Sequence, residues 1–193
     1  MPTPSLRVLW GRIWLIGFLP SIRFLDAKAY VQKPEGGPVK DSLTFRRDDL
    51  SGEPTRALVA RHLEGMRENS PPESVHALEI EKLRGPEIFF WSVWQGDDIA
   101  ACGALKRIDA RKGELKSMRV ADAFLGQGVG RSLLNHLIEQ ARAMGLESLW
   151  LETGCSPAFT PALRLYESTG FVRCGPFDGY TDDPFSVFMS RST

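Results

Sequence analysis

The most informative stretch of the sequence is Met118-Arg-Val-Ala-Asp-Ala-Phe-Leu-Gly-Gln-Gly-Val-Gly-Arg-Ser-Leu-Leu134. It has the pattern of a strand end, a glycine-rich turn and the first turns of an amphipathic helix. Gly126, Gly128 and Gly130 alternate in the turn, and glycine permits both a sharp turn and a close approach of the backbone to a ligand. A helix N-terminus adds free N–H groups and a partial positive charge. The sequence therefore predicts a diphosphate site over residues 126–132.

The composition is that of a globular protein and argues against several classes of function. The 193 residues suffice for one domain with a real core, and the formal net charge of +0 provides no general attraction to nucleic acid. The cysteines, Cys102, Cys155 and Cys174, are few and lack a C-x-x-C spacing. We therefore expect reduced thiols in a cytoplasmic protein, with neither a disulfide framework nor a zinc site.

The first 42 residues differ from the rest of the chain. They carry six Lys and Arg against three Asp and Glu, whereas residues 43–193 carry eighteen against twenty-one. Their apolar run Val8–Leu19 is interrupted by two glycines and an arginine and is too short to span a bilayer. Lys33–Pro38 has the composition of a linker. We predict a poorly ordered extension over residues 1–42 and the domain over residues 43–193, with a signal peptide or a membrane-surface helix as alternatives for the extension.

From residue 43 onward, hydrophobic periodicity predicts a mixed α/β domain. Strands are expected at residues 43–47, 87–94, 99–106, 114–120, 148–153, 171–174 and 186–190, and helices at 53–69, 74–83, 128–144 and 162–168. Asp48, Asp49 and Ser51 are candidate caps of the first helix. The strand–helix–strand order predicts parallel pairing of strands 114–120 and 148–153. We expect one sheet layer with helices on both faces.

Two short motifs lie at a characteristic separation in the chain. The turn Leu125-Gly-Gln-Gly-Val-Gly130 is similar to the pattern Arg/Gln-x-x-Gly-x-Gly/Ala, with Leu125 in place of the Arg or Gln. The run Ala162-Leu-Arg-Leu-Tyr-Glu-Ser-Thr-Gly-Phe171 is similar to Ala-x-x-Leu-Tyr-Glu-x-x-Gly-Phe, and Phe159 stands near a position that is often Asn. Together they resemble the GNAT superfamily of acyl-CoA N-acyltransferases. The resemblance covers about residues 43–193 and implies a central, mostly antiparallel sheet whose one parallel strand pair splays apart to admit coenzyme A.

The resemblance also implies acetyl-CoA as co-substrate and no metal ion. The glycine turn would hold the diphosphate through its backbone N–H groups. The strand amides of Met118–Val120 would pair with the pantetheine arm and polarise the acetyl oxygen. The implied cofactor-binding residues are Met118, Arg119, Val120, Leu125, Gly126, Gln127, Gly128, Val129, Gly130, Arg131 and Ser132.

Acetyl transfer to an amine also needs groups that move protons. Tyr166 matches the family's usual general acid, which protonates the leaving thiolate; a tyrosine that only packs under the cofactor is the alternative. Glu114 is the candidate base, and a solvent-exposed charge on an edge strand is its alternative. Glu152 and His76 are the further candidates, as bases or as substrate contacts. Their alternatives are a partnered buried carboxylate for Glu152 and a structural helix residue for His76.

The predicted function is an N-acetyltransferase that moves an acetyl group from acetyl-CoA to a primary amine of a small molecule by direct transfer. Cys155 leaves a route through an acyl-enzyme open, although nothing beside it in the sequence marks an activated thiol. The alternative is a non-catalytic acyl-CoA-binding module that regulates a partner. We expect no nucleic-acid or membrane partner and leave a homodimer open. The acceptor could be an amino acid, a polyamine, an antibiotic or a protein N-terminus.

Overall fold

The computed structural model describes residues 42–193, so the predictions for the N-terminal extension lie outside the described residues. The strands are β1 (Leu43–Arg47), β2 (Ile88–Gln95), β3 (Asp98–Arg107), β4 (Lys112–Val120), β5 (Ser148–Gly154), β6 (Val172–Cys174) and β7 (Ser186–Ser192). The helices are α1 (Glu53–Asn69), α2 (Ile80–Leu83), α3 (Val129–Ala143) and α4 (Thr160–Ser168), with 3-10 turns at Pro72–Ser74, Asp122–Phe124 and Pro157–Phe159. None of these helices is long and apolar enough to cross a membrane.

The strands form one sheet in the order β1-β2-β3-β4-β5-β7-β6. β4 and β5 pair in parallel, and every other neighbouring pair is antiparallel. The parallel pair is joined through α3, as expected when a strand is followed by a crossover helix and a second strand. The predicted fold class, a mixed and mostly antiparallel sheet with one parallel pair, is confirmed.

Two apolar cores cover the two faces of the sheet. On one face Leu133 of α3 packs with Leu149 and Leu151 of β5. On the other face Val59 of α1 packs with Phe90 of β2. Since successive side chains of a strand point to opposite faces, the two sets come from alternating positions. Helices therefore lie on both faces, as the sequence predicts.

The predicted helix over residues 74–83 is wrong. The chain makes a 3-10 turn at Pro72–Ser74, and helix α2 begins only at Ile80. Between them the backbone leaves the helical region, and the ring of His76 packs edge-on against Tyr180 with centroids 5.0 Å apart. Valine and histidine favour a helix only weakly, so these tertiary contacts determine the local structure.

The predicted caps of α1 are also wrong. The N-cap residue is Gly52, which offers no side-chain hydrogen bond. Asp48 instead accepts a 2.8 Å bond from the hydroxyl of Thr55, and Asp49 accepts the N–H of Ser51 at 2.9 Å. Asp49 thus binds the turn before the helix, and Asp48 reaches the Thr55 side chain in the first turn, so neither carboxylate caps a backbone N–H group of α1.

Candidate active site

The parallel pair β4–β5 opens halfway along its length. Pairing runs from Lys112 opposite Ser148 to Leu115 opposite Leu151 and then stops. The second half of β4, Lys116–Val120, remains paired with β3 but has no partner on the β5 side. Backbone amides in such a gap require a hydrogen-bond partner from elsewhere. The splayed pair implied by the resemblance is therefore present, and Met118, Arg119 and Val120 lie along it.

A β-bulge shapes the same half of β4. The register against β3 shifts between Cys102 and Ala104, and Ser117 has a positive φ of 51°. Gly103 lies opposite the bulge, where a Cβ atom would approach the side chains of Met118 and Leu133 to 3.2 Å. A bulge re-aims the strand locally. The glycine thus lets α3 pack closely behind the strand that lines the opening.

The glycine loop joins β4 to α3 and is open to solvent. Gly126 and Gly128 have φ values of +74° and +82°, and no atom lies within 4 Å of a Cβ built on either. Gly128 is the N-cap of α3, so the first-turn N–H groups of the helix are free to bind a ligand. The positive end of the helix dipole points the same way. This loop therefore fits a diphosphate.

The side chains of the loop contribute less than its backbone. Leu125 is 60% exposed, and the amide of Gln127 donates back to the carbonyl of Ala123 at 2.8 Å. The guanidinium of Arg131 donates to the Ser168 hydroxyl of α4 at 2.9 Å. The side chains of Gln127 and Arg131 are thus already bonded within the protein.

Four more of the predicted residues make contacts within the protein around the loop. Val129 is buried in the core under α3, and the hydroxyl of Ser132 donates to the carbonyl of Gly128 at 3.3 Å. A Cβ atom on Gly130 would lie 3.3 Å from the side chain of Val120, so helix and strand approach closely here. Arg119 forms an ion pair of 2.7 Å with Asp122.

Tyr166 lies on the α3 side of the opening. Its ring packs edge-on against Phe171, and its hydroxyl lies 3.9 Å from the sulfur of Met118. Burial, reinforced by the charge of Glu152, raises the pKa of Tyr166 to about 12. The phenol therefore stays protonated at neutral pH beside the strand that lines the opening. Because the Met118 sulfur is a weak acceptor, the Tyr166 hydroxyl can donate its hydrogen bond to a ligand instead.

Glu114 lies at the centre of a buried polar network. It is 1% exposed, which excludes the alternative of a solvent-exposed edge charge. Its Oε1 accepts hydrogen bonds from the ammonium of Lys116 at 2.9 Å and from the hydroxyl of Tyr180 at 2.7 Å. Lys106 approaches its Oε2 to 3.7 Å. A buried carboxylate of this kind needs such partners to remain charged.

Tyr180 and Asp178 are site residues that the sequence did not indicate. They lie in the loop between β6 and β7, which has no periodicity. Tertiary folding brings Tyr180 to Glu114 and Lys116 of β4, and Asp178 to Lys106 of β3. Burial and then the adjacent Glu114 raise the pKa of Tyr180. Burial by itself would lower the pKa of Lys106, but its 2.8 Å bond with Asp178 and the nearby carboxylate charges outweigh burial and raise it.

Glu152 lies on β5 just beyond the point where β4 and β5 separate. Its Oε1 accepts a 2.7 Å hydrogen bond from the hydroxyl of Ser186, so it is partnered, as the cost of burying a lone carboxylate requires. Burial raises the pKa of Glu152 and Glu114 adds to the rise, whereas Ser186, His76 and Lys116 act in the opposite direction.

Several of these residues line one pocket on the α1 and α2 face of the sheet. The pocket has a volume of about 490 Å³, and its wall includes His76, Lys82, Lys106, Glu114, Lys116 and Tyr180. The structure thus brings His76 and Glu114 together at one cavity, and the charges of both act on Glu152, which does not line it. Residues 42–193 contain no group of three or more His, Cys, Asp or Glu side chains arranged to hold a metal ion.

The region where the family often has an asparagine is filled differently here. Phe159 stands at the N-cap of α4, and its ring packs directly on Gly154 at the end of β5, where any Cβ atom would overlap it. The neighbouring Cys155 is exposed, and its thiol points to the carbonyl of Pro184 at 3.4 Å. A phenyl ring provides contact area but no hydrogen bond.

A sheet that opens at its parallel pair, with a glycine loop capping the next helix, is the architecture of an acyl-CoA N-acyltransferase. The chain matches the family described as "Acetyltransferase (GNAT) family" over residues 55–171. It belongs to this family, which confirms the resemblance, and is an acetyl-CoA-dependent acyltransferase. It is 55% identical to the uncharacterized N-acetyltransferase YsnE of Bacillus subtilis over 144 residues, 75% of this chain and 95% of that protein.

Solved structures show the same fold. A protein from Klebsiella pneumoniae assigned as an acyl-CoA N-acyltransferase superposes with a TM-score of 0.64 at 25% identity, covering 78% of this chain and 97% of that one. A GNAT acetyltransferase from Elizabethkingia anophelis, solved with acetyl-CoA bound, superposes with a TM-score of 0.60 at 21% identity, covering 80% of this chain and 100% of that one. The second likeness concerns the fold alone.

Proposed function

We propose that the enzyme transfers the acetyl group of acetyl-CoA directly to the primary amine of a small molecule in the cytoplasm. The observation that carries the proposal is the opened β4–β5 pair, which has Tyr166 on one face and the polar pocket around Glu114 on the other. A thioester held in the opening would meet an acid on one side and an acceptor on the other. Direct transfer needs both at once.

The glycine loop and β4 would bind the co-substrate. Free N–H groups at Gly126, Gly128 and the start of α3 suit the diphosphate. The unpaired amides of Met118–Val120 suit the pantetheine arm, and an amide beside the acetyl oxygen stabilises the negative charge that develops there. Leu125 and Phe159 would add contact area in place of side-chain hydrogen bonds.

The chemistry is a substitution at the thioester carbonyl. The neutral amine attacks the carbonyl carbon, the N–C bond forms, and the C–S bond breaks. The amine nitrogen loses its extra proton to a base, and the departing thiolate gains one from an acid. Tyr166 suits the acid, because its hydroxyl lies at the opening and carries its proton at neutral pH. The raised pKa makes it a weaker acid than a free phenol, so the role rests on its position and not on its acidity.

Two carboxylates compete for the role of base. Glu114 has both oxygens occupied by cations or by Tyr180, so in our proposal it positions Lys116 and Tyr180. Glu152 bonds only to Ser186 among the described residues, has a raised pKa and lies at the opening itself. A carboxylate whose pKa rises toward neutrality is a stronger base. We therefore assign the base to Glu152 and keep His76 as a substrate contact.

An acyl-enzyme route through Cys155 has less support. Its thiol is directed at the Pro184 carbonyl, an acceptor that does nothing to stabilise a thiolate. Among the described residues no Lys, Arg or His side chain donates a hydrogen bond to the Cys155 sulfur. Activated cysteines sit beside such groups or at a helix N-terminus. Replacing Cys155 by serine should therefore leave turnover unchanged.

The proposal is tested with acetyl-CoA and a panel of small amines, measuring thiol release together with the mass of the acetylated product. We expect acetylation of at least one amine. The initial rates should show that both substrates bind before any product leaves, and not the ping-pong pattern of an acyl-enzyme. Tight acetyl-CoA binding with no product from any amine would instead favour the non-catalytic binding module. A structure with coenzyme A would show directly whether the pantetheine lies between β4 and β5.

A further inference from the structure

Lys116 and Glu152 face each other across the opening. Pairing of β4 and β5 ends at Leu115 opposite Leu151, so the next residue on each strand is Lys116 and Glu152. Both leucines point into the α3 core, and alternation along a strand places Lys116 and Glu152 on the other face. Lys116 lines the pocket on that face. The charge of Lys116 lowers the pKa of Glu152, but the two form no ion pair in the described part of the chain. A cation on β4 and an anion on β5 therefore stand on opposite sides of the opening.

The ammonium of Lys116 is held rigidly. It donates to Oε1 of Glu114 at 2.9 Å and to the hydroxyl of Tyr180 at 2.7 Å, and its side chain is only 9% exposed. An ammonium has three N–H donors, and within residues 42–193 only these two acceptors engage it. One N–H group thus remains for a ligand.

Most of the other charged side chains in the described part of the pocket are already paired with each other, and the unpaired one is a cation that would attract an anion. Asp178 is bonded to Lys106, and Glu114 is bonded to Lys116 and approached by Lys106. The pocket wall carries a third cation, Lys82, which forms no ion pair among the described residues. Among the described pocket residues Lys82 is therefore the lysine without an ion pair, and Lys116 keeps one free N–H group. On the β5 side the carboxylate at the opening is Glu152, with Asp183 close to it through the shared Ser186 hydroxyl.

We infer that the acceptor is a free α-amino acid, whose carboxylate binds Lys116 while its α-amine faces Glu152. This inference rests on the proposed function and names its substrate class. In an α-amino acid the two charges are separated by one carbon, which suits a cation and an anion on facing strands. A carboxylate bound to a rigid lysine gains a charge-assisted hydrogen bond. A polyamine would instead place its second ammonium near Lys82, Lys106 and Lys116, and these like charges would repel it.

The experiment compares each amino acid with the amine that lacks its carboxylate. The probes are L-phenylalanine with 2-phenylethylamine and L-leucine with 3-methylbutylamine, with putrescine as the dication. For the wild type we expect kcat/KM at least about tenfold higher for the amino acid of each pair, the value of one charge-assisted bond. Higher kcat/KM for the decarboxylated amines or for putrescine would overturn the inference.

Variants of Lys116 test the residue itself. Lys116→Met should bring the ratio within each pair to about one by lowering kcat/KM for the amino acid, and Lys116→Arg should keep most of the preference. Lys112→Met is the matched control, because it removes the same charge from the same strand outside the pocket wall. An unchanged ratio in Lys116→Met would overturn the inference.

A second variant and a binding readout keep failure of folding or turnover from confusing the result. Lys116→Met leaves Glu114 with one partner fewer, so the double variant Glu114→Gln/Lys116→Met removes both charges together, and the same loss of preference is expected. If neither the wild-type protein nor any variant acetylates an amine, the proposed function fails. Calorimetry of L-phenylalanine and 2-phenylethylamine on coenzyme A-loaded protein then decides the inference: selective binding that Lys116→Met abolishes supports it, and equal or absent binding of the pair refutes it.

Discussion

The hydroxyl of Tyr180 donates a 2.7 Å hydrogen bond to Oε1 of Glu114, although the two residues are 66 positions apart in the chain. The same hydroxyl accepts a 2.7 Å bond from Lys116. The loop between β6 and β7 is thereby attached to β4 at a carboxylate that is 1% exposed. One hydroxyl group thus links the wall of the pocket to the centre of the sheet.

Removing that hydroxyl should destabilise the protein. In Tyr180→Phe the buried carboxylate loses one of its donors, and hydrogen bonds to charged groups contribute roughly 1.5–3 kcal/mol. Urea unfolding should show a loss of that size in the free energy of unfolding. Tyr166→Phe is the matched control, since among residues 42–193 its hydroxyl bonds only to a sulfur at 3.9 Å, and a loss below about 1 kcal/mol is expected. Equal losses in the two variants would contradict the role given to Tyr180.

The sequence predicted the frame of the site better than its walls. The glycine turn and the strands on either side have strong local patterns, so the loop could be placed in advance. The opening between β4 and β5 was expected from the family resemblance. The pocket wall depends on contacts between distant segments: residues 75–79, expected as helix, are irregular, and His76 among them packs on Tyr180. The sequence of the loop around Asp178 and Tyr180 does not indicate a contact with Glu114. An aromatic residue in an otherwise polar loop is the feature that could have drawn attention to Tyr180.

Charge in the glycine loop should abolish binding of acetyl-CoA. Gly128→Glu places a carboxylate at the N-terminus of α3, and like charges a few ångströms apart near a surface repel by roughly 4 kcal/mol. We expect the Kd for acetyl-CoA, measured by calorimetry, to rise more than about a hundredfold. Gly145→Glu is the control: Gly145 has a φ of +76° and an equally open environment, but follows the other end of α3. Similar effects of both variants on Kd would show that backbone strain, not charge, is responsible.

Tyr166→Phe should slow turnover without weakening the binding of acetyl-CoA. The phenol is the proposed acid, and loss of a positioned acid typically costs about 10²–10⁴ in rate. Steady-state kinetics should show that loss in kcat, while the Kd for acetyl-CoA stays within about twofold, as expected for a group that acts only in the transition state. Because the pKa of Tyr166 is about 12, the wild-type rate should show no alkaline decline from this group below about pH 10. Unchanged kcat would remove Tyr166 from the mechanism.

The pH dependence of kcat/KM should identify the base. A base must be deprotonated, so activity falls as the pH drops through the pKa of that base. We call this fall the acidic limb of the pH profile. Burial raises the pKa of Glu152, so the limb should lie above the ordinary carboxyl range. Ser186→Ala removes a hydrogen bond that favours the charged form and should move the limb to higher pH. Glu114→Gln removes a neighbouring negative charge and should move it to lower pH, whatever it does to the maximal rate. Ser148→Ala, at the start of the same strand, should leave the limb in place. If Glu114→Gln abolished the limb and Glu152→Gln did not, the base would be Glu114.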